Sequence, residues 1–227
     1  MGTLYIVATP IGNMEDITLR AVRILGEADL ILAEDTRVTG KLRARHGIQT
    51  PMKSYHQQSS EKVTGDIIRF LGEGKTLALV TDAGTPGIAD PGNELIARIA
   101  GELPEVRIEP IPGASSLSSA LSVCGFPTSE FIFLGFLPHK KGRQTLLNEI
   151  ATIRRTTVLF ESPHRIGKLL TKLAERVPER PCALFRELTK LHESHYRGTV
   201  TELKARFDNK KIPEKGEFVV VLAPYSQ

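Results

Sequence analysis

Three loops of small, turn-forming residues follow strand-like segments in the first half of the chain, and their composition suits them to hold a ligand. They comprise residues 9–13, 82–87 and 112–116. Small side chains let a ligand approach the backbone, and open α/β sheets bind ligands at the carboxyl ends of their strands. Although any one of these loops could be an ordinary tight turn, three together predict a shared ligand crevice.

Asp82 indicates which ligands suit this crevice. Its carboxylate could accept a hydrogen bond from an ammonium group or a ribose hydroxyl, whereas it would repel a phosphate, so nucleoside triphosphates are disfavoured. Residues 74–76 do not belong to a Walker A motif because Arg69 occupies the position of its first glycine, and no Gly-x-Gly-x-x-Gly follows the first strand. His192 and His195 lack the four-residue spacing of two ligands on one helical face, so we expect no metal site.

Charged side chains follow three other strand-like segments. These clusters are Glu34, Asp35 and Arg37; Glu161, His164 and Arg165; and Arg186, Glu187 and Lys190. For any single residue, a surface ion pair or a helix cap is the commoner role. Three clusters at the same topological end are harder to explain in that way, and they predict catalytic or binding groups.

The order of apolar segments predicts an α/β fold. Strand-like runs rich in β-branched residues alternate with segments whose apolar residues recur at helical spacing. The predicted strands are residues 4–8, 30–33, 76–80, 106–111, 131–136, 157–161, 182–186 and 218–223. The predicted helices are residues 18–26, 63–71, 115–123, 145–153, 166–175 and 200–207. A second series of elements follows a turn at residues 110–113, which predicts two α/β lobes at residues 1–113 and 114–227.

Composition limits the class of protein. The chain has 227 residues, of which 41% are hydrophobic, and this is enough to bury a sizeable core. No apolar run approaches the roughly 20 residues that cross a bilayer. A strand-like segment without a basic leader opens the chain, so we expect a cytoplasmic protein that enters no membrane. Cys124 and Cys182 share no metal-binding spacing and lie in apolar segments, which predicts buried free thiols.

The two halves of the chain differ in charge. Residues 1–113 carry 12 basic and 15 acidic side chains, whereas residues 114–227 carry 18 basic and 11 acidic ones. A basic lobe can attract the phosphates of a nucleic acid, although it can equally reflect ordinary solvation. The charge therefore leaves nucleic acid binding open.

Motifs along the whole chain resemble those of the ribosomal RNA small subunit methyltransferase I family. In the first half they are residues 4–13 (LYIVATPIGN), 16–18 (DIT), 33–37 (AEDTR), 81–86 (TDAGTP), 90–92 (DPG) and 112–113 (PG). In the second half they are residues 135–138 (GFLP), 161–165 (ESPHR), 186–190 (RELTK) and 215–217 (KGE). They occur in the family's order, and the TPIGN and DAGTP loops are quite specific.

This resemblance implies a two-lobed tetrapyrrole-methylase-like fold, in which each lobe is a mixed sheet flanked by helices and the cofactor cleft lies between the lobes. It implies a homodimer, S-adenosylmethionine as cofactor, and 2′-O-methylation of a cytidine ribose in bacterial small-subunit (16S) ribosomal RNA, either naked or in the assembled subunit. The residues that it places at the cofactor are Pro10, Gly12, Asp82, Ala83, Gly84, Thr85, Ile88, Ser115 and Ser116.

A ribose hydroxyl is a weak acid, so its methylation requires close positioning and benefits from a base or a cation near the developing alkoxide. The candidates for these catalytic roles are Glu34, Asp35, Arg37, Glu161, His164, Arg165 and Glu187. Arg37 and Arg165 suit equally well as phosphate clamps. The cytidine must be presented unstacked. The residues expected to hold the flanking RNA backbone are Lys140, Lys141 and Arg143.

Two other functions are compatible with this sequence. One is a methyltransferase acting on a tetrapyrrole of the corrin or sirohaem type, although those enzymes usually carry a Gly-rich first loop and a Gly-Asp-Pro turn. This chain has residues 9–13 and 84–86 there. The other is a non-catalytic RNA-binding assembly factor of the same fold. Many members of the family continue beyond the 215–217 motif in a small helical tail; this chain ends at Gln227, which predicts a weaker or differently built grip on RNA.

Overall fold

Two compact units make up the structure, a computed structural model that describes residues 2–56, 58–90 and 92–225. Unit 1 comprises Met1–Ser115 and unit 2 comprises Ser116–Gln227. Each unit has a five-stranded sheet and a hydrophobic core of its own. The α/β class predicted from the sequence is confirmed in both.

Unit 1 is a sheet covered by helices. Its strands are β1 (Thr3–Val7), β2 (Leu30–Ala33), β3 (Met52–Ser54), β4 (Thr76–Val80) and β5 (Arg107–Ile111), in the order β3-β2-β4-β1-β5. Its helices are α1 (Leu19–Glu27), α2 (Thr36–His46), α3 (Glu61–Gly72) and α4 (Gly92–Glu102). Every pairing described in this sheet is parallel, because a helix carries the chain back between successive strands. The carboxyl ends of all five strands therefore lie at one edge.

The alternation of side chains along the strands places helices on both faces of this sheet. Along β4, Leu77 belongs to the core cluster that α3 and α4 complete. The next residue, Ala78, belongs to the cluster that α1 and α2 complete. Because both faces are covered, β4 is a continuous apolar run from Leu77 to Val80, and polar residues follow where the strand ends.

Unit 2 is a mixed sheet. Its strands are β6 (Phe131–Phe136), β7 (Thr156–Glu161), β8 (Pro181–Arg186), β9 (Ser194–Thr199) and β10 (Phe218–Leu222), in the order β6-β7-β10-β8-β9. Its helices are α5 (Ser116–Cys124), α6 (Arg143–Thr152), α7 (Ile166–Ala174) and α8 (Val200–Asp208). β6 and β7 are parallel, and the other neighbours are antiparallel. Residues of α6, α7 and α8 form one core with β10, and α5 also lies against β10.

Hydrophobic periodicity does not reveal four of these elements: α2, β3, α4 and β9. α2 buries only Thr39 and Leu42, so it lacks the apolar stripe that marks a core-facing helix. β3 has three residues, and β9 lies at the edge of its sheet without a buried residue. Residues 61–62, which precede the predicted helix 63–71, form the first turn of α3 after its N-cap, Ser60. Polar helices and edge strands bury little apolar surface, and the pattern is correspondingly weak.

Both cysteines are buried and free, as the sequence predicts. Burial raises the pKa of the Cys182 thiol to about 12, so this sulfur stays protonated and unreactive at neutral pH. Within the described ranges, no helix is both long enough and apolar enough to cross a bilayer.

Candidate active site

The carboxyl edge of the unit 1 sheet brings together the loops that follow β1 and β4. Thr9 and Gly84 exchange two backbone hydrogen bonds, with N–O distances of 2.9 and 3.1 Å. The Thr9 hydroxyl also donates to the carbonyl of Thr81 over 3.1 Å. These bonds hold residues 9–13 and 81–88 against each other.

The loop after β5 packs against the same two loops. The Thr85 hydroxyl donates to the carbonyl of Ala114 over 3.3 Å. A Cβ at Gly113 would lie only 2.9 Å from the Cβ of Ala8, and Gly84 has a left-handed φ of +84°, which a glycine adopts without strain. The small residues therefore let three loops converge, which is the arrangement that the sequence predicts.

Glu34 and Asp82 interlock the ends of β2 and β4. Glu34 Oε2 accepts a hydrogen bond from the Thr81 hydroxyl over 2.6 Å and another from the Asp82 backbone N–H over 3.3 Å. In return, Asp82 Oδ1 accepts a hydrogen bond from the backbone N–H of Asp35 over 3.0 Å. This reciprocal pairing fixes both carboxylates at the edge without neutralising their charges.

Asp35 and Arg37 form an ion pair at the start of α2. Asp35 caps this helix by accepting from the Arg37 backbone N–H over 2.8 Å, and its carboxylate also binds the Arg37 guanidinium, at 2.5 Å for the shortest contact. The guanidinium lowers the pKa of Asp35 to about 2, and the carboxylate in turn raises the pKa of Arg37. The Arg37 side chain is 88% exposed, so the pair presents a cationic group to an incoming molecule.

Asp82 is in a different electrostatic state from Asp35. Loss of hydration and the nearby negative charge of Glu34 raise the pKa of Asp82 above its ordinary value. Its side chain is nevertheless exposed at the edge. The carboxylates of Glu34, Asp35 and Asp82 therefore share this edge with the guanidinium of Arg37. Such a set favours a bound ammonium or sulfonium group over a phosphate.

The remaining residues expected at the cofactor lie in or beside these loops. In unit 1 the exposed or half-buried ones are Gly12, Ala83, Thr85, Ile88 and Ser115, whereas Pro10 is buried. Ser116 is the first residue of α5 and belongs to unit 2. Within unit 1, the structure thus places the expected cofactor residues at the carboxyl edge.

Sequence motifs did not assign roles to Thr81 and Asp90, although both shape the loop after β4. The Asp90 carboxylate accepts hydrogen bonds from the backbone N–H groups of Gly87 and Gly92, each at 2.8 Å for the shortest contact. It thereby closes the turn that leads into α4. An aspartate just before a helix is a common capping signal, and it could have revealed this role. Pro91 of the same motif lies outside the described residues.

Glu161, at the end of β7, fixes a loop in unit 2. Its carboxylate is buried and lies 3.3 Å from the guanidinium groups of both Arg143 and Arg165. Both arginines also donate to the carbonyl of Pro138. The structure therefore joins three of the predicted catalytic and RNA-binding residues in one network, and this network orients residues 137–143.

Other predicted residues of unit 2 are open to solvent. Lys140 and Lys141 are exposed on the loop that Glu161 fixes, and His164 is exposed just before α7. In the part of the chain that the structure describes, no three His, Cys, Asp or Glu side chains are arranged to hold a metal ion. The exposed groups are therefore available for a substrate through charge and hydrogen bonding.

Glu187, which follows β8, connects two of the sequence motifs. Its Oε1 accepts hydrogen bonds from the Glu217 backbone N–H over 2.8 Å and from the Lys190 ammonium over 3.0 Å. Although burial acts in the opposite direction, these donors hold the pKa of Glu187 below its ordinary value. Its φ of 54° is left-handed, a strained conformation for a residue other than glycine. The RELTK and KGE motifs therefore meet at Glu187.

Comparison with known structures identifies the class of protein that has this fold. Residues 3–204 match the family described as Tetrapyrrole (Corrin/Porphyrin) Methylases. Cobalt precorrin-4 methyltransferase superposes with a TM-score of 0.69 at 22% identity, over 96% of this chain and 94% of that one. A uroporphyrin-III C-methyltransferase from Thermus thermophilus complexed with S-adenyl homocysteine gives a TM-score of 0.66 at 19% identity, over 98% and 97%. These likenesses establish the fold.

Curated relatives are more similar in sequence. The ribosomal RNA small subunit methyltransferase I of Thermotoga maritima is 47% identical, and the alignment covers 98% of this chain and 99% of that protein. The protein of the same name from Bacillus subtilis is 41% identical, over 98% of this chain and 75% of its own length. The chain therefore belongs to the tetrapyrrole methylase family and, within it, to the ribosomal RNA small subunit methyltransferase I group.

Proposed function

We propose that this protein transfers a methyl group from S-adenosylmethionine to the 2′-oxygen of a cytidine ribose in bacterial small-subunit (16S) ribosomal RNA. The observation that carries the proposal is the convergence of three small-residue loops and three carboxylates at the carboxyl edge of the unit 1 sheet. Relatives that are 41–48% identical and named for the small-subunit RNA support this substrate. The resemblance in motifs supports the cytidine 2′-oxygen.

The chemistry of the donor set at this edge fits S-adenosylmethionine. In the proposal, Asp82 accepts hydrogen bonds from the ammonium of the methionine part, and the neighbouring carboxylates favour the positive sulfonium. The open backbone of residues 9–13, 82–87 and 112–115 receives the rest of the cofactor, with Ile88 as an apolar contact that is 45% exposed. When bound, the cofactor supplies an electrophilic methyl group.

Positioning of the ribose oxygen, at about 3 Å from the methyl carbon, contributes much of the rate. In the proposal, Arg37 stabilises the developing alkoxide or holds an adjacent phosphate, because its guanidinium is exposed and its direction is fixed by Asp35. Glu34 positions Asp82 by accepting a hydrogen bond from the Asp82 backbone N–H. His164, whose side chain is exposed, is retained as a candidate for the base that takes the proton of the ribose hydroxyl.

The RNA backbone binds, in the proposal, to Lys140 and Lys141. Both are exposed on a loop whose course is set by the buried Glu161 and its two arginine partners. A fixed loop holds its ammonium groups in place with less loss of entropy on binding. Arg143 and Arg165 thus act as positioning residues, and removal of Glu161 should weaken RNA binding through the loop.

The proposal includes a homodimer acting in the cytoplasm, either on ribosomal RNA or on the assembled small subunit. The resemblance in motifs supports the homodimer and the ribosomal RNA substrate. Light scattering on the purified protein tests the dimer, which should have twice the monomer mass of 25.0 kDa. A mass equal to the monomer would contradict it.

Incubation with methyl-labelled S-adenosylmethionine and small ribosomal subunits from cells that lack this protein tests the function. Label should enter the RNA and appear as 2′-O-methylcytidine after nuclease digestion. A parallel reaction with uroporphyrinogen tests the tetrapyrrole alternative, for which label would enter the macrocycle and not the RNA. RNA binding without incorporation would indicate a non-catalytic assembly factor.

A further inference from the structure

A groove in unit 2 is lined by residues from two sequence motifs, ESPHR and KGE. Its volume is about 650 Å³, and His164 of the ESPHR motif and Lys215 of the KGE motif both line it. Lys168 of α7 and Phe207 of α8 lie in the same lining. This volume lies within the range of small-molecule and nucleotide pockets, about 300–1,000 Å³.

The lining of the groove is cationic. His164, Lys168 and Lys215 are all exposed, and Glu214 is the carboxylate beside them. Among the described residues, no carboxylate lies within ion-pair distance of Lys168 or Lys215, whereas Lys172, one turn further along α7, binds Glu175 at 2.9 Å. Uncompensated lysines on a concave surface attract an anion, because the concave shape concentrates their field.

Contacts from residues 186–187 fix the backbone around Lys215. Gly216 has a left-handed φ of +102°, and a Cβ there would lie 2.5 Å from Cγ of Glu187. The guanidinium of Arg186 donates to the carbonyl of Lys215, and Glu187 accepts from the Glu217 N–H. The RELTK motif thus holds the backbone of the KGE motif in one conformation, so the groove exists before a ligand binds.

An aromatic ring lies beside these cations. Phe207, in the last turn of α8, is half-buried and packs directly on Gly167, where a Cβ would lie 2.8 Å from the ring. Ammonium groups next to an aromatic ring are the usual means of binding single-stranded nucleic acid, because phosphates pair with the cations and a base stacks on the ring. An acidic peptide would need the lysines but not the ring.

We propose that this groove binds a single-stranded segment of the substrate RNA, with phosphates at Lys168 and Lys215 and a base on Phe207. The inference rests on the proposed RNA substrate and adds a binding surface separate from Lys140 and Lys141. It also gives the KGE and RELTK motifs a common role, since one lines the groove and the other supports it.

The anisotropy of a short fluorescein-labelled single-stranded RNA measures binding to this groove. Lys168→Glu with Lys215→Glu should weaken binding about tenfold or more and flatten the salt dependence, by about 0.7 in slope for each phosphate that is no longer neutralised. The matched control, Lys62→Glu with Lys211→Glu, changes the net charge equally at exposed lysines that do not line the groove. It should bind RNA within about twofold of the wild type.

Phe207→Leu separates a base-binding groove from a simple cationic patch. Loss of stacking should weaken RNA binding about fivefold or more while leaving the salt slope unchanged. Urea unfolding of each variant checks that it is folded. Calorimetry with S-adenosylmethionine should give the wild-type affinity in all of them.

Several outcomes would overturn the groove proposal. Equal losses of RNA affinity in the groove variant and its control would indicate that RNA responds only to the overall charge of the protein. Unchanged RNA affinity in Phe207→Leu, together with full competition by polyglutamate, would indicate that the groove binds an acidic peptide. Displacement of the RNA by inorganic phosphate at similar concentration would indicate a small-anion site. Normal RNA binding and normal methylation in the groove variant would remove the groove but leave the proposed function. RNA binding without methylation in the wild type would contradict the proposed function but leave the groove proposal in place.

Discussion

Asp29 and Asp82, at opposite edges of the unit 1 sheet, are in opposite electrostatic states. At the amino edge, Asp29 accepts a hydrogen bond from the Thr76 backbone N–H over 2.8 Å, and this bond lowers the pKa of Asp29. At the carboxyl edge, loss of hydration and the charge of Glu34 raise the pKa of Asp82. One carboxylate is stabilised as an anion by its surroundings, and the other is held where ionisation is disfavoured.

The difference between Asp29 and Asp82 is consistent with the proposed ligand site at the carboxyl edge. A carboxylate whose pKa is lowered by a backbone hydrogen bond contributes to folding, whereas one that is kept ionised against its surroundings is more often retained for binding or catalysis. Close packing at the carboxyl edge is a second difference, since Gly113 leaves no room for a Cβ beside Ala8. These differences support the proposal that the cofactor binds at the carboxyl edge.

Asp82→Asn should produce the largest effect. The asparagine keeps an oxygen that can accept a hydrogen bond from the Asp35 backbone N–H, but it loses the negative charge. Affinity for S-adenosylmethionine should therefore fall about tenfold to a hundredfold, which corresponds to the free energy of a charged hydrogen bond. The urea unfolding midpoint should stay the same or rise. Isothermal titration calorimetry measures the affinity, with Asp29→Asn as the control that should bind normally. Equal affinities in the two variants would remove the distinction between the edges.

Gly113→Ala should give the next largest effect. The added Cβ would meet Ala8 at 2.9 Å, and overpacking of this kind costs about 1–3 kcal/mol in the free energy of unfolding. Gly65→Ala in the middle of α3 has no atom within 4 Å of the new Cβ and should instead gain about 0.5–1 kcal/mol. Urea denaturation measures both. A stabilised Gly113→Ala variant would show that the loops do not depend on close packing.

The affinity for S-adenosylmethionine should also depend on pH through Asp82. Only the ionised carboxylate attracts the ammonium, so binding should weaken as the pH falls towards the pKa of Asp82, which lies above the ordinary 3.8. Calorimetry over the acid range tests this in wild type and in Asp82→Asn. The variant should lack the part of the pH dependence that Asp82 causes, and an unchanged profile would assign that dependence to another group.

The smallest effect should be on the pH dependence of stability. A lowered pKa means that Asp29 stabilises the fold above its unfolded pKa and loses this contribution as the pH falls through the folded value. Asp29→Ala should therefore cost about 1 kcal/mol at neutral pH and less in acid. The raised pKa of Asp82 means that its ionisation destabilises the fold, so any gain in stability of Asp82→Asn at neutral pH should disappear in acid. Urea midpoints at several pH values measure both, and parallel curves would contradict the comparison.

The sequence predicts which loops lie at the carboxyl edge, but it does not predict the contacts that support them. Turn-forming residues directly after buried strands locate the loops, because strand direction alone brings their ends to one edge. The Glu34–Asp82 pairing joins residues far apart in the chain, and the burial of Glu161 between Arg143 and Arg165 depends on packing that residue types do not specify. α2 is missed because its few buried residues form no apolar stripe.

A crystal structure with S-adenosyl homocysteine tests the central claim most directly. We expect the ligand at the carboxyl edge of the unit 1 sheet, with its ammonium within hydrogen-bond distance of Asp82 and its other atoms against residues 9–13 and 82–87. A ligand bound at the amino edge, or away from these loops altogether, would contradict it.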